Sequence, residues 1–135
     1  MSRRVFINLP VADLPRAMAF FGALGFRHEP QFTNEQAACI VVSEHIYTML
    51  LTHDFFAGFT SKPIADAANS TEVLVCLSCD SQAEVDDLVK RAVAAGGRAP
   101  RPPQDHGFMY GHGFEDPDGH LWELVYMRSA PPEAG

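Results

Sequence analysis

The sequence predicts an α+β fold in which two tandem βαβββ modules form a curved mixed sheet, a cup, with the helices on its convex face. Three observations support this prediction. A strand-like run, an acidic residue, a helical run and a glycine occur in this order twice, three strand-like runs follow each opening, and a hairpin turn precedes the last run. Strands that follow a helix within a repeated unit favour α+β over a doubly wound sheet. Within one compact domain we predict a first module over 1–53, a linker over 54–70, a second module over 71–128 and a flexible tail over 129–135.

The first module opens with an apolar strand-like run over 5–9, and a helix is expected to begin after Asp13. The Asp13 carboxylate can accept hydrogen bonds from the free N–H groups of the first helical turn, in which Pro15 is tolerated. Apolar residues then recur at helical spacing up to Gly25. Three strands are predicted after this helix, over 27–33, 37–43 and 46–53.

The second module repeats this order with a strand-like run over 73–77 and a helix that begins after Ser81. Ser81 and Glu84 have the spacing of a capping box, and an apolar stripe continues towards Gly96. A turn over 116–119, with the sequence Asp-Pro-Asp-Gly, is typical of a hairpin because Pro presets φ and Gly accepts a positive φ. The strands predicted in this half after the helix lie over 98–104, 107–115 and 120–127.

The composition of the chain excludes several classes of partner and site. Its formal net charge is −7 and its basic residues are scattered, whereas binding nucleic-acid phosphates requires clustered Lys and Arg. No apolar run reaches the roughly 18 residues of a membrane-spanning helix, and the N-terminus lacks the apolar core of a signal peptide. Three cysteines do not suggest a disulfide framework, and Cys76 and Cys79 would point to opposite faces of a strand. We therefore expect a cytoplasmic protein that binds neither nucleic acid nor membrane.

Two motifs resemble those of a known family. The first is LPVADL over Leu9–Leu14, followed by Phe20–Phe21 and Leu24–Phe26, and the second is FEDPDGHLWEL over Phe114–Leu124. Together with the paired modules, they make the chain resemble the vicinal oxygen chelate superfamily over about residues 4–127. That group includes glyoxalase I, extradiol dioxygenases, and fosfomycin and bleomycin resistance proteins. The chain is especially similar to small bacterial proteins described as predicted lactoylglutathione lyases, although a fold does not fix a function.

The resemblance implies four inward-facing positions that hold one divalent metal ion in metal-using members. In this chain they correspond to Phe6, Met49, Leu74 and Glu123, so three of the four carry apolar side chains. Phe and Leu have no lone pair to donate, and the Met thioether is a soft ligand. A single carboxylate falls short of the ligand count that Zn²⁺ and similar ions need. We therefore expect no metal cofactor.

Alternatives remain for the one carboxylate, Glu123. Asn8 and Glu72 each lie two residues from a ligand position and thus on the same strand face, so a shifted alignment would gather Asn8, Glu72 and Glu123 as an all-oxygen metal site. Without a metal, a carboxylate among apolar side chains loses solvation, which would raise its pKa and suit it to catalysis as a general acid or base. The plainer interpretation is that Glu123 reaches the mouth of the cup or forms a hydrogen bond with Asn8.

Alternation along the strands predicts which residues face the cup and bind a ligand. Two glycines on one strand face leave room for a ligand, although a bulge without a ligand explains them equally well. A histidine at the end of a strand would contact the ligand or lie on the plain surface. The predicted ligand-binding residues are Asn8, Met49, His53, Glu72, Leu74, Met109, Gly111 and Gly113.

Three functions remain open from the sequence. The first is a protein of the bleomycin-resistance kind that binds a small molecule in the cup without a metal. The second is a lyase or isomerase of the glyoxalase kind that uses Glu123 as its acid or base. The third is a non-catalytic interaction module whose cup is filled by core side chains. Because members of the family commonly pair modules within or between chains, the resemblance also implies a homodimer.

Overall fold

The computed structural model describes residues 3–128, so the tail predicted over 129–135 lies outside the described residues. The chain divides into two compact units, Met1–Asp66 and Ala67–Gly135. Each unit contains a four-stranded mixed sheet, which confirms the α+β class and the two βαβββ modules. None of the helices within residues 3–128 is long and apolar enough to cross a membrane.

The elements of the first module are β1 (Val5–Val11), α1 (Leu14–Ala23), β2 (Arg27–His28), β3 (Ala37–Ser43), β4 (Ile46–Thr52) and α2 (His53–Ala57). The strand order in the sheet is β1-β4-β3-β2, and β1 runs parallel to β4. The side chain of Asp13 accepts a hydrogen bond from the Arg16 N–H at 3.1 Å, as predicted for a helix cap. Buried residues of α1, among them Leu14 and Phe21, pack on β3 and β4.

Two strand predictions in this module are wrong at their ends. The strand predicted over 27–33 stops at His28, and Pro30–Phe32 forms a 3₁₀ turn. Pro30 has no N–H for a strand ladder, and the Glu29 carboxylate accepts the Gln31 N–H at 3.4 Å, which favours the turn. The strand predicted over 46–53 stops at Thr52, whose hydroxyl accepts the Phe55 N–H at 3.3 Å. His53 therefore begins a short helix, which extends to Ala57 in the first part of the predicted linker.

The elements of the second module are β5 (Leu74–Ser78), α3 (Gln82–Ala94), β6 (Gln104–Asp105), β7 (Met109–Glu115) and β8 (Leu121–Met127). The strand order in the sheet is β5-β8-β7-β6, and β5 runs parallel to β8. The Ser81 hydroxyl accepts the Glu84 N–H at 3.0 Å, and the Glu84 carboxylate accepts the Asp80 N–H at 2.7 Å, which confirms the predicted capping. Buried Val85 and Val89 of α3 lie on the side that packs against β7 and β8.

The turn between β7 and β8 is built around the buried carboxylate of Asp116. One of its oxygens accepts the N–H groups of Asp118 and His120, both at 3.0 Å, and the other accepts the Trp122 indole N–H at 3.1 Å. Gly119 has a φ of 96°, and a Cβ there would lie 2.6 Å from the Ala67 carbonyl oxygen. Glycine is therefore required, and the predicted hairpin turn is confirmed.

Strand predictions in the second module are also wrong at their ends. Of the strand predicted over 98–104, only Gln104–Asp105 forms β6, with an isolated bridge between Arg98 and Glu115. Prolines at positions 100, 102 and 103 lack the N–H groups that a continuous ladder needs. The strand predicted from residue 73 begins at Leu74, because Leu74 pairs with Leu121, the first residue of β8. Glu72 therefore lies before the strand and not on its face.

Candidate functional site

The face of the second sheet opposite α3, which we call the second cup face, carries a pocket of about 300 Å³. Strand register pairs Leu74 with Leu121 and Glu123 with Gly113, so these residues share one face of the sheet. The neighbouring residues Trp122 and Leu124 are about 1% exposed and face the helix side. The pocket is lined on the strands by Leu74, Met109, Gly111, Gly113, Leu121, Glu123 and Val125.

The Glu123 carboxylate lies directly against the backbone of Gly113. A Cβ at position 113 would stand 2.7 Å from the Trp122 carbonyl oxygen and 3.1 Å from Glu123 Oε2. At Gly111 the closest atom to such a Cβ is the Leu124 carbonyl oxygen at 3.4 Å, an ordinary contact. Of the two predicted glycines, Gly113 is therefore the one whose missing side chain makes room for the carboxylate.

Glu123 has no hydrogen-bond or ion-pair partner within residues 67–128. Its neighbour across the sheet is Cys76, whose pKa is raised by burial and then by the charge of Glu123. Burial, followed by the charge of Glu84, raises the pKa of the Cys79 thiol to about 12. Both thiols are therefore held in their protonated form, and the carboxylate is the ionisable group that faces the pocket from β8.

The loop side of the pocket supplies polar groups. Arg101, Gln104, His106 and His112 belong to its lining. The imidazole Nε2 of His112 donates to the Arg101 carbonyl oxygen at 2.9 Å, so His112 fixes the proline-rich segment. Arg101 itself is exposed. This side therefore combines one structural histidine with an exposed cation.

A clamp centred on Arg128 holds the rim segment over 104–107. Its guanidinium donates to the two carboxylate oxygens of Asp105 at 2.6 and 3.1 Å, to Gln82 Oε1 at 2.9 Å and to the Gly107 carbonyl oxygen at 3.2 Å. These bonds from Arg128 hold the pKa of Asp105 below its usual value. Sequence reasoning missed this clamp, because the charged partners lie 23 residues apart and nothing local marks them as neighbours.

The corresponding face of the first module, opposite α1, carries different side chains; we call it the first cup face. Phe6 and Tyr47 stack on it, with ring centroids 4.8 Å apart and planes at 11°. Asn8 is exposed and pairs in register with Met49. The prediction that Phe6, Asn8 and Met49 share one strand face agrees with this register.

The side chains at the four metal positions do not fit a divalent ion. Phe6 and Leu74 carry no donor atom, and the register neighbours of Glu123 are a glycine and a protonated thiol. Within residues 3–128, no three His, Cys, Asp or Glu side chains gather as a metal-binding cluster. Hard divalent cations need several oxygen or nitrogen ligands, and these positions supply one carboxylate.

The structure sorts the predicted ligand-binding residues by position. Leu74, Met109, Gly111, Gly113 and Glu123 line one pocket. Glu72 is not among the pocket residues, and it lies in the bend before β5, so the prediction that it shares the strand face is wrong. His53 is the exposed first residue of α2 rather than the end of a strand.

A comparison with known proteins identifies one family and many solved structures that share this fold. The sequence pattern of the Glyoxalase/Bleomycin resistance protein/Dioxygenase superfamily matches residues 3–124. No curated protein matches the chain.

Three solved structures illustrate the likeness. A hypothetical protein from S. aureus is similar at a TM-score of 0.78 and 27% identity, over 93% of this chain and 95% of that one. A glyoxalase-related enzyme from Fulvimarina pelagi has a TM-score of 0.79 and 23% identity, over 99% and 94% of the two chains. The fosfomycin resistance protein FosX from Listeria monocytogenes has a TM-score of 0.67 and 20% identity, over 98% and 95%. The last two share the fold alone.

Proposed function

We propose that this chain, which belongs to the glyoxalase/bleomycin resistance protein/dioxygenase superfamily, binds a small organic molecule on its second cup face without a divalent metal. Membership of the family confirms the resemblance drawn from the two motifs. The observation that carries the proposal is the pocket of about 300 Å³ beside Glu123. Pockets that bind small ligands typically begin at roughly this volume.

The composition of the pocket supports a ligand that is largely apolar. Leu74, Met109, Leu121 and Val125 contribute aliphatic or thioether surface, and Gly111 leaves space at the floor. Ligand sites usually combine such walls with a few polar groups that fix orientation. Glu123 on the strands and His106 on the loop side supply polar groups of this kind.

The pocket argues against the third function considered from the sequence, a filled cup. That function predicts core side chains packed over Glu123. Instead, Leu74 is 54% exposed on the strand next to it, and the space above Gly113 is open to the carboxylate. A module that had converted this face into core would bury such an aliphatic side chain.

A ligand screen by thermal unfolding tests the proposal. Ligand at one hundred times its Kd stabilises a folded protein by about 2.7 kcal/mol, which raises its melting temperature. Gly111→Leu places a side chain into the pocket at a position where a Cβ meets only ordinary contacts, so it should abolish the shift. Gly22→Leu in α1, where a Cβ meets nothing within 4 Å, is the matched control and should respond like the unaltered chain. A broad library that never shifts the melting temperature contradicts the proposal.

One observation favours a second candidate, a lyase or isomerase of the glyoxalase kind. Glu123 presents a carboxylate to the pocket, where a substrate proton could come within the hydrogen-bond reach that a general acid or base needs. This candidate predicts isomerisation of a glutathione hemithioacetal, lost in Glu123→Gln. No turnover in the presence of Ni²⁺, Zn²⁺, Co²⁺ or Mn²⁺, with no metal found by elemental analysis, would rule it out.

We also propose that the chain forms a homodimer, since paired modules are common in the family it resembles. The exposed aromatic and aliphatic side chains on β1, Val5 at 46% and Phe6 at 50%, support this proposal. Sedimentation at several concentrations measures the mass directly. A monomer throughout the micromolar range contradicts it.

A further inference from the structure

We infer that the pocket on the second cup face takes a small organic cation, a protonated amine on a compact apolar body, with its ammonium group against Glu123. This inference rests on the proposed function and names the class of ligand. It starts from the Glu123 carboxylate, which faces the pocket and has no hydrogen-bond or ion-pair partner within residues 67–128. A carboxylate is an acceptor only, so the group that meets it must donate hydrogen bonds.

The setting of Glu123 favours a charged donor over a neutral one. Its neighbours on the strand face are Leu121, Val125 and the backbone of Gly113, and its carboxylate is partly withdrawn from water. A partly desolvated charge gains more from an opposite charge than a fully hydrated one does. An ammonium group also forms shorter and stronger hydrogen bonds to a carboxylate than an alcohol or an amide does.

The cation on the loop side does not oppose this arrangement. Arg101 is exposed, so water and salt screen its charge, whereas Glu123 is half-buried against Gly113. The net charge of the whole chain is −7, which attracts cations and repels anions at a distance. Both the local and the global field therefore favour a positive ligand.

The pocket also limits the size of the apolar body. A dry cavity of roughly 150 Å³ accommodates benzene. The pocket here, at about 300 Å³, has room for one ring and a short chain between Leu74, Met109 and Val125. Large peptide-like cations exceed this space.

Three probes of matched shape and different charge test the inference. The probes are 2-phenylethylamine, 2-phenylethanol and phenylacetate, titrated by calorimetry at neutral pH and low salt against the full chain. The amine should bind about ten- to a hundredfold more tightly than the alcohol, as expected when the donor to a half-buried carboxylate is charged. Phenylacetate should bind most weakly.

Two charge-neutralising variants locate the effect. Glu123→Gln should bring the amine down to the affinity of the alcohol and leave the alcohol unchanged. Glu35→Gln removes one negative charge from an exposed residue of the first module and should leave all three affinities unchanged. The comparison of amine with alcohol needs no variant, so it holds even if Glu123→Gln fails to fold.

Several results would overturn the inference. It is contradicted if the amine and the alcohol bind equally tightly, or if phenylacetate binds most tightly of the three. It is also contradicted if Glu35→Gln and Glu123→Gln weaken the binding of the amine equally. If the probes fail but the wider screen finds neutral or anionic ligands that Gly111→Leu blocks, the inference falls and the proposed function stands. If neither the probes nor the screen yields a ligand, both fall.

Discussion

The first and second cup faces are built by the same strand order but carry different chemistry. In each module the first strand runs parallel to the last, and equivalent positions face away from the helix. The first cup face carries the stacked rings of Phe6 and Tyr47 beside Met49. The second carries Glu123 over Gly113, with a pocket. The repeated fold therefore supplies equivalent positions, and the side chains at those positions give each face its own chemistry.

The helix-facing sides differ as well. Matching Met49 to Glu123 in the repeat makes Thr48 the equivalent of Trp122, and both residues are buried. The Trp122 indole donates to Asp116 at 3.1 Å, whereas the Thr48 hydroxyl is buried without a hydrogen-bond partner among residues 3–128. The second module therefore satisfies its buried polar group, and the first leaves one unsatisfied.

The largest expected effect comes from removing Trp122. Trp122→Ala should lower the free energy of unfolding by about 3–5 kcal/mol, because it leaves a cavity beside Phe114 and strips Asp116 of a donor. Urea denaturation measures this loss. Trp122→Phe keeps an aromatic ring but removes the indole N–H and part of the buried ring volume, so its cost should be smaller, about 1–3 kcal/mol. A cost below about 1 kcal/mol for Trp122→Ala would contradict the role of this residue in the core.

The next largest effect separates the two glycines of the second cup face. Gly113→Ala should cost about 1–3 kcal/mol, because the added Cβ meets the Trp122 carbonyl oxygen, which is held in the sheet. It should also displace the Glu123 carboxylate and weaken ligand binding. Gly111→Ala, where contacts are ordinary, is the control and should cost less than about 1 kcal/mol. Equal costs for the two would contradict the close approach of position 113 to the Trp122 carbonyl oxygen.

A smaller effect of opposite sign is expected in the first module. Thr48→Val should raise the free energy of unfolding by about 1 kcal/mol, because it replaces an unsatisfied buried hydroxyl with a methyl group. Thr52→Val, which removes the hydroxyl that accepts the Phe55 N–H, should instead lower it by about 1 kcal/mol. Thermal unfolding of both variants checks the pair. Destabilisation by Thr48→Val would mean that its hydroxyl is satisfied.

The smallest effect is the pH dependence of the Arg128 clamp. The pKa of Asp105 is lowered in the folded state. The stabilisation of the fold by the ionised Asp105 is therefore fully present above the ordinary Asp pKa of about 3.9, and it is lost as the pH falls through the lowered pKa. Arg128→Gln should therefore melt at a lower temperature near neutral pH, and the difference from the unaltered chain should narrow in acid. Arg27→Gln removes the exposed 3.5 Å contact to Glu29 and should show little change. If the difference in melting temperature stayed the same at all pH values, the effect of Arg128 would come from its bonds to Gln82 and Gly107.

Local patterns in the sequence were sufficient for much of the fold. Asp13, Ser81 and the turn over 116–119 lie where caps and turns were predicted, because capping and turn geometry depend on residues a few positions apart. The predicted strand ends were wrong at Pro30 and in the segment over 100–103. In both segments the alternation of apolar and polar residues predicts a strand, but the prolines lack the N–H groups that strand pairing needs.

The candidate site was predictable in part for the same reason. Alternation placed Met109, Gly111 and Gly113 on the face of Glu123, since a strand has a period of two. Glu72 and His53 were misplaced because alternation cannot show where a strand begins or ends. The Arg128 clamp left no local signal at all.

From the sequence alone we could assign two modules, the helices α1 and α3, and the face shared by alternate residues within a strand, because these features follow from the spacing of neighbouring residues. The folded structure was needed to show that Glu123 lies against Gly113 and that the Thr48 hydroxyl is buried without a hydrogen-bond partner among residues 3–128. These outcomes depend on strand register and on packing between residues far apart in the chain, and no local pattern fixes which distant backbone lies beneath a given side chain.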